Sequence, residues 1–334
     1  MRDSEASRLL QSLGWSEFFD EQIEADETAL MPRRIASVHR TELEVMLEGG
    51  SGALGLPPRT NTGDFAVGDW VLADPLNGLL TRRLERKTLL QRTGQGRRVP
   101  QLAAANVDSL FIVTSCNADF NVARLERYLA FANEAGTTPV IVLTKADVAD
   151  DPAEYQRQAA ELQRDLPVVT LNPRLAGAAS ILSEWCGPGQ TVAVVGSSGV
   201  GKSTLVNSLV GRGAVQETGA VREHDAKGRH TTTSRSMHPI AGGGWVIDTP
   251  GIRSLQLSDV AGGIGTLFAE ITELAPLCKF RNCTHSHEPG CAVQAAIAAG
   301  TLDADRLARW RKLQLENSGN SGPQAGSVSG RGRR

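Results

Sequence analysis

The run Gly196-Ser197-Ser198-Gly199-Val200-Gly201-Lys202-Ser203-Thr204, directly after the apolar stretch TVAVV, constrains this chain more than any other feature. It has the form G-x-x-x-x-G-K-[ST] in the context that form needs, a strand before and an amphipathic helix after. The glycines let backbone N–H groups turn inward around phosphate oxygens, at a helix N-terminus that already favours anions. Lys202 is placed to reach the β- and γ-phosphates, and the Ser203 hydroxyl to bind Mg²⁺. Such a loop belongs to a parallel sheet, and the flanking sequence supplies one. SLFIVTS (109–115), PVIVLT (139–144), PVVTL (167–171), TVAVVG (191–196) and WVIDT (245–249) are continuous apolar runs, as strands buried on both faces require. Helical segments separate them, the first marked by Val122, Leu125, Tyr128 and Leu129. The prediction is a doubly wound α/β domain.

Two further motifs point to guanine and to Mg²⁺. Thr144-Lys145-Ala146-Asp147 follows PVIVL and has the shape of the Asn-Lys-x-Asp guanine reader, with Thr in place of Asn. An Asp carboxylate accepts paired hydrogen bonds from guanine N1–H and the 2-amino group, donors that adenine lacks, while the Lys stem packs over the ring. Asn172, after PVVTL, is the candidate for a third base-contacting loop. Asp248-Thr249-Pro250-Gly251 has the D-x-x-G form: Asp248 contacts Mg²⁺ through water, and the Gly251 N–H contacts the γ-phosphate. Between them, Gly228-Arg229-His230-Thr231-Thr232-Thr233 reads as the first switch, with Thr232 completing the Mg²⁺ shell. Position 252, where many GTPases place a water-orienting Gln, is Ile, so His230 is the candidate catalytic group beside Lys202.

The order of these motifs is permuted. The guanine reader at 144–147 precedes the phosphate loop at 196–204, which precedes Asp248, whereas in most GTPases the guanine reader comes last. Compact domains with adjacent termini tolerate such a circular permutation. Its consequence is that the second switch leads straight into the C-terminal segment.

Around this domain the grammar changes. Residues 1–30 are an acidic extension with apolar material for one short helix. Residues 31–98 carry short alternating runs split by GGSG, PPRTNTGD and DPLNG, which suggest a barrel of about five strands. That stretch ends in Arg82, Arg83, Arg86, Lys87, Arg92, Arg97 and Arg98 against Glu85 alone, a basic margin suited to RNA. The formal net charge of −2 excludes a globally basic coat protein while permitting this local patch. The permuted domain takes residues 99–256, a helix-rich segment 257–316, and a Gly/Ser-rich tail 317–334 is expected to be disordered. Within the helix-rich part, Cys278, Cys283, His285 and Cys291 offer three thiols and an imidazole, enough for a closed, structural Zn²⁺ site, with His287 as an alternative ligand. Cys116 and Cys186 read as ordinary thiols. With no signal peptide, no apolar run of membrane-spanning length and no disulfide framework, the expectation is a cytoplasmic protein that does not enter membranes, and nothing suggests an obligate dimer.

Together VGDWV (67–71), AANVD (104–108), TKAD, GSSGVGKST, GRHTTT, DTPG and the C-x₄-C-x-H-x₅-C run resemble the circularly permuted GTPases that depend on the small ribosomal subunit, the RsgA or YjeQ family. The resemblance spans about residues 31–315 and implies a multidomain protein. Its parts would be an N-terminal OB-like (oligonucleotide-binding) β-barrel, a central α/β circularly permuted P-loop GTPase domain, and a C-terminal helical zinc-binding domain. It implies GTP/GDP and Mg²⁺ at the phosphate loop and TKAD, one structural Zn²⁺ on Cys278, Cys283, His285 and Cys291, and the family's switch His at His230. It also implies action late in small-subunit maturation on the subunit and its rRNA, with hydrolysis stimulated by the subunit. Two alternatives stay open beside it. An RNA-binding module with a non-catalytic, regulatory nucleotide site is favoured by Ile252, and a P-loop ATPase or kinase is disfavoured by TKAD.

Overall fold

The computed structural model describes residues 2–92, 100–175, 177–211, 235–248 and 260–321. The chain begins with α1 (Arg2–Ser12) and α2 (Glu17–Asp20), then enters five short strands: β1 (Met31–Val38), β2 (Leu43–Leu47), β3 (Gly50–Leu54), β4 (Trp70–Ala73) and β5 (Leu80–Arg83). β1, β2 and β3 form an antiparallel meander. Met31–Arg34 pair instead with β4, and β5 with β4. A parallel bridge between Gly55 and Leu79 joins the end of β3 to the start of β5, closing a ring in the order β1-β2-β3-β5-β4. Alternation fills it: Ile35, Leu43, Val45, Leu54, Val71, Ala73 and Leu80 form the interior.

Trp70 and Leu72 point the other way yet are equally buried, because the first thirty residues cover them. Leu13 and Phe19 pack there, and Trp15 stands edge-on to Trp70 with ring centroids 4.8 Å apart. The N-terminal segment is thus a cap with two helices, where the sequence suggests one helix on an extension. Arg34, 1% exposed, ties the cap down. Its guanidinium donates to the carbonyls of Leu13, Asn106 (3.0 Å) and Gly68 (3.4 Å), and burial lowers its pKa to about 10, still charged at neutral pH.

The basic margin is largely spent inside the molecule. Arg82 is held by Glu27, and Arg86 donates to both oxygens of the fully buried Asp69 at 2.6 and 2.7 Å. Lys87 donates to Ser16 Oγ and lies over the rings of Phe18 and Phe19. Arg92 donates to Gln101 Oε1. Arg83 and Lys87 remain exposed. Arg97 and Arg98 lie outside the described residues.

β6 (Leu89–Arg92) and β7 (Gln101–Ala105) form a hairpin across the boundary that composition places at residue 98; its Leu90, Ala103 and Ala104 belong to the same apolar core as the parallel sheet. That sheet comes next: β8 (Ser109–Ser115), α3 (Val122–Glu134), β9 (Thr138–Thr144), α4 (Pro152–Ala160), β10 (Val168–Thr170), α5 (Ala178–Ile181), β11 (Thr191–Gly196), α6 (Lys202–Val210), β12 (Arg235–Pro239) and β13 (Trp245–Asp248). The order is β10-β9-β8-β11-β13, all parallel, with β12 antiparallel beyond β13. The apolar runs are continuous because alternate residues serve opposite faces. Leu110, Ile112, Ile141, Leu143, Ala193, Val195 and Ile247 pack on one side with Leu125 and Leu129 of α3. Phe111, Val113, Val140, Val142, Val192, Val194 and Val246 pack on the other with Leu205 and Leu209 of α6. At its far edge β12 meets β1 through Ser37–Ser236 and Val38–Arg235, so sheet and barrel are continuous.

The C-terminal helices are α7 (Ala261–Leu267), α8 (Ala269–Leu274), α9 (Ala292–Ala298) and α10 (Ala304–Ser321). Ile264, Leu267, Phe268, Ile271, Val293, Leu307 and Leu313 extend the α3 side of the core. α7 lies so close to α3 that a Cβ on Gly263 would sit 2.0 Å from the Ala130 carbonyl oxygen. α10 runs past residue 316, where composition places the start of the tail. Asn317 is buried and its Oδ1 accepts the Val260 N–H at 3.1 Å, a partner 57 residues away that the tail's composition does not advertise. No helix among the described residues is long and apolar enough to cross a membrane.

Candidate functional site: a phosphate loop and a thiol–imidazole cluster

β11 ends at Gly196, whose φ of +141° and position directly over β8 exclude a side chain: a Cβ would lie 2.2 Å from the Val113 carbonyl oxygen. Gly199 and Gly201 have φ of +79° and +99°, a region glycine enters without strain, before α6 begins at Lys202. The Lys202 ammonium donates to the Ser197 carbonyl, and the guanidinium of Arg124, in the first turn of α3, donates to the Ser197 hydroxyl. Ser198, Gly199 and Ser203 are exposed, Thr204 is half-buried, and Val200 is buried beneath the loop.

The guanine-reader segment meets this loop from the neighbouring strand end. Thr144 is 1% exposed, and its hydroxyl donates to the Val200 carbonyl at 2.6 Å, with the Thr114 carbonyl at 3.1 Å as second acceptor. Thr144 is therefore a staple between the two motifs. Its side chain faces the protein interior. Lys145 takes φ +56°, an uncommon conformation for a side chain of this size, and its ammonium lies 3.9 Å from Asp119. Ala146 is half-buried and Asp147 is exposed, its carboxylate available to a base. Pro173, from the loop after β10, and Thr144 both come within 3.9 Å of a Cβ placed on Gly201. Three loops separated in sequence thus converge. Asn172 in that third loop uses its Oδ1 to accept the Arg174 N–H at 3.0 Å, shaping the loop itself.

Asp248 closes β13, half-buried and opposite Ser236 of β12. Ser236 Oγ is 2.8 Å from His238 Nε2, and burial holds the His238 pKa below its ordinary value, against the pull of Asp248. His230, Thr232, Gly251 and Ile252 lie outside the described residues.

Cys278, Cys283, His285 and Cys291 place their ligand atoms within 4.8 Å of one another. Sγ of Cys278 and Sγ of Cys291 are 3.9 Å apart, and each lies 3.5 Å from His285 Nδ1. A tetrahedral Zn²⁺ with ordinary bond lengths needs S···S edges of about 3.8 Å and S···N edges of about 3.6 Å. The donor set fits zinc. His285 reaches it with φ +58°, its carbonyl held by Gln294 and Arg311 and its ring against Trp310. His287 is exposed and lies outside this group of ligand atoms, and its backbone N–H donates to Glu288. Glu288 also accepts from the Thr284 N–H and hydroxyl and the Ser286 N–H, bonds that hold its carboxyl far below the usual range. Burial raises the Cys283 thiol to about 11, a cost that a bound cation reverses by favouring thiolate.

Arg124, Asp119 and Pro173 are invisible to motif reading. Each enters the site through the fold, from loops or helix starts at the same end of the sheet.

A family model described as RsgA GTPase matches residues 83–258. The small ribosomal subunit biogenesis GTPase RsgA of Mesorhizobium japonicum is 68% identical over 336 residues, covering 98% of this chain and 97% of that protein. RsgA 2 of Vibrio parahaemolyticus is 46% identical, covering 94% of this chain and 87% of that protein. Among solved structures, YjeQ from Thermotoga maritima superposes with a TM-score of 0.64 at 24% identity, covering 87% of this chain and 99% of its own. YloQ, described as a circularly permuted GTPase, gives 0.63 at 23%, covering 90% and 99%. These two likenesses establish the permuted fold.

Proposed function

The chain belongs to the RsgA GTPase family, and on that premise we propose that it binds GTP and hydrolyses it to GDP and phosphate during late maturation of the small ribosomal subunit. The observation that carries the reading is the convergence on Gly201 of the phosphate loop, Thr144 of the guanine reader and Pro173 of the third loop. Asp147 accepts the guanine edge, the loop from Gly196 to Thr204 surrounds the phosphates, and Lys202 neutralises them. Ser203, Thr232 and Asp248 would hold Mg²⁺, which would offset charge on the phosphates. Gly251 senses the γ-phosphate, and His230 orients the attacking water.

The five-stranded ring has the strand order of an OB-fold, which supports an oligonucleotide-binding barrel at residues 31–98. Arg40, Arg59, Arg83 and Lys87 are exposed cations of this stretch, and the partner is the rRNA of the small subunit. Cys278, Cys283, His285 and Cys291 would hold one Zn²⁺ that cross-links the loops between α8 and α9 in the C-terminal unit, 257–316. The protein acts as a cytoplasmic monomer.

The test is competition and turnover. GDP and GTP should displace a fluorescent guanine nucleotide, ADP and ATP should not, and GTP should be hydrolysed. Displacement by ADP as effective as by GDP would overturn the guanine assignment. Tight GDP binding with no turnover, even with ribosomal subunits, would favour the static regulator that Ile252 suggests.

A further inference from the structure

Arg124 belongs to none of the motifs, yet it reaches the phosphate loop. Its own N–H is capped by Asn121 Oδ1 at 2.9 Å, and its guanidinium donates to the hydroxyl of Ser197, the loop's second residue. The carbonyl of the same residue receives the Lys202 ammonium. Two cations therefore hold Ser197, one by its backbone and one by its side chain.

The helix that carries Arg124 is immobilised along its next two turns. Glu126, fully buried, accepts from Arg309 at 2.9 Å and Arg306 at 3.3 Å of α10. Arg127 donates to both oxygens of Glu316 at 2.8 and 2.6 Å. One turn later α7 packs on the Ala130 carbonyl through Gly263. Arg124 thus projects from a rod bolted to the C-terminal helices, and Ser197 is where that rod meets the loop.

We infer that Arg124 is a positioning residue for nucleotide binding, fixing the phosphate loop through the Ser197 hydroxyl while Lys202 exchanges the Ser197 carbonyl for phosphate oxygens. When Lys202 turns to the phosphates the loop loses an internal bond. The Arg124 bond is independent of that exchange and, being charge-assisted, keeps Ser197 in place. Because the contact is to the loop and not to the γ-phosphate, it serves GDP and GTP alike. This inference rests on the GTP-hydrolysing reading above.

The experiment compares Arg124→Ala, Arg124→Lys, Ser197→Ala and the double Arg124→Ala/Ser197→Ala in the full-length protein. The dissociation constant for GDP and the kcat and KM for GTP are measured for each. Arg124→Ala should raise the GDP dissociation constant and the KM together, by about three- to ten-fold, with kcat within about two-fold. Ser197→Ala should match it, the double variant should be no worse than either single, and Arg124→Lys should recover most of the loss. Arg157→Ala, which removes an equal charge from α4 where Arg157 pairs with Glu154, should change nothing. Additive effects of the two single variants, or an Arg124→Ala protein with unaltered nucleotide affinity, would overturn the inference and leave the GTPase reading standing. A fall in kcat at constant KM would overturn it in favour of direct contact with the reacting phosphates. Failure of the unaltered protein to bind GDP would remove the reading and the inference together.

Discussion

Thr144 stands where most guanine readers have Asn, and the structure assigns its hydroxyl a specific job that one substitution removes. Thr144→Val keeps the shape and the methyl group, so no cavity opens, and deletes the 2.6 Å bond to the Val200 carbonyl. At 1% exposure water does not replace the lost donor. Losing a buried bond and leaving its acceptor unpaired costs about 1–3 kcal/mol, with about 2 kcal/mol the central value. The bond exists without nucleotide, so this energy leaves the folded state directly. For a unit of this size it corresponds to a fall in melting temperature of roughly 4–8 °C. The same bond aligns the guanine reader with the phosphate loop, so GDP affinity should fall by about three- to thirty-fold, the upper bound being the whole 2 kcal/mol. Thr144→Ser, which keeps the hydroxyl, should retain GDP affinity while losing about 1 kcal/mol of packing. Differential scanning fluorimetry and GDP titration read both quantities. A Thr144→Val protein with unchanged melting and unchanged GDP affinity would refute the staple.

Other perturbations obey the same logic. Chelating the metal should loosen the segment around Cys278–Cys291 and lower the melting temperature while GDP binding is largely retained, since the phosphate loop draws no residue from that cluster; unchanged unfolding after verified metal removal would contradict a structural ion. Gly263→Ala forces a methyl to 2.0 Å from the Ala130 oxygen and 2.8 Å from the Glu134 nitrogen, both backbone atoms, so it should destabilise by roughly 3 kcal/mol. Gly319→Ala, with open space around it in α10, should instead be neutral or mildly stabilising, and thermal unfolding compares the two. His238 is held by burial below its ordinary 6.5, so an unfolded chain binds a proton there that the folded one resists. Stability should therefore decline as pH falls below about 6.5, and denaturant titrations of His238→Gln should show a shallower decline; an identical slope would discount His238.

The phosphate-loop sheet is legible in the sequence because both its faces are covered. Runs such as Phe111 to Val113 are apolar at every position, and a signal of that kind survives without knowledge of partners. β12 is not legible: Arg235–Pro239 mixes Arg, Ser, His and Pro, and becomes a strand by pairing with β13 and β1. The basic margin misleads for a related reason. Arg82 and Arg86 look free in sequence because Glu27 and Asp69, which neutralise them, lie 55 and 17 positions away. Arg34 is the extreme case, a cation buried against the carbonyls of Leu13, Gly68 and Asn106. In the candidate site, the glycines, Lys202 and the thiol–imidazole cluster are readable because spacing alone defines them. The orientation of Thr144 and the reach of Arg124 depend on which strand ends the sheet order brings together, and that order is non-local.

Coupling of GTP hydrolysis to the small ribosomal subunit is tested most directly by steady-state turnover of GTP alone, with purified small subunits and with large subunits. Intrinsic turnover in such GTPases can be as slow as roughly 10⁻⁴ to 10⁻³ per second, so a stimulator is conspicuous. The expected result is strong stimulation by the small subunit only, abolished by Lys202→Ala. Equal rates with and without small subunits, or stimulation that survives Lys202→Ala, would contradict it.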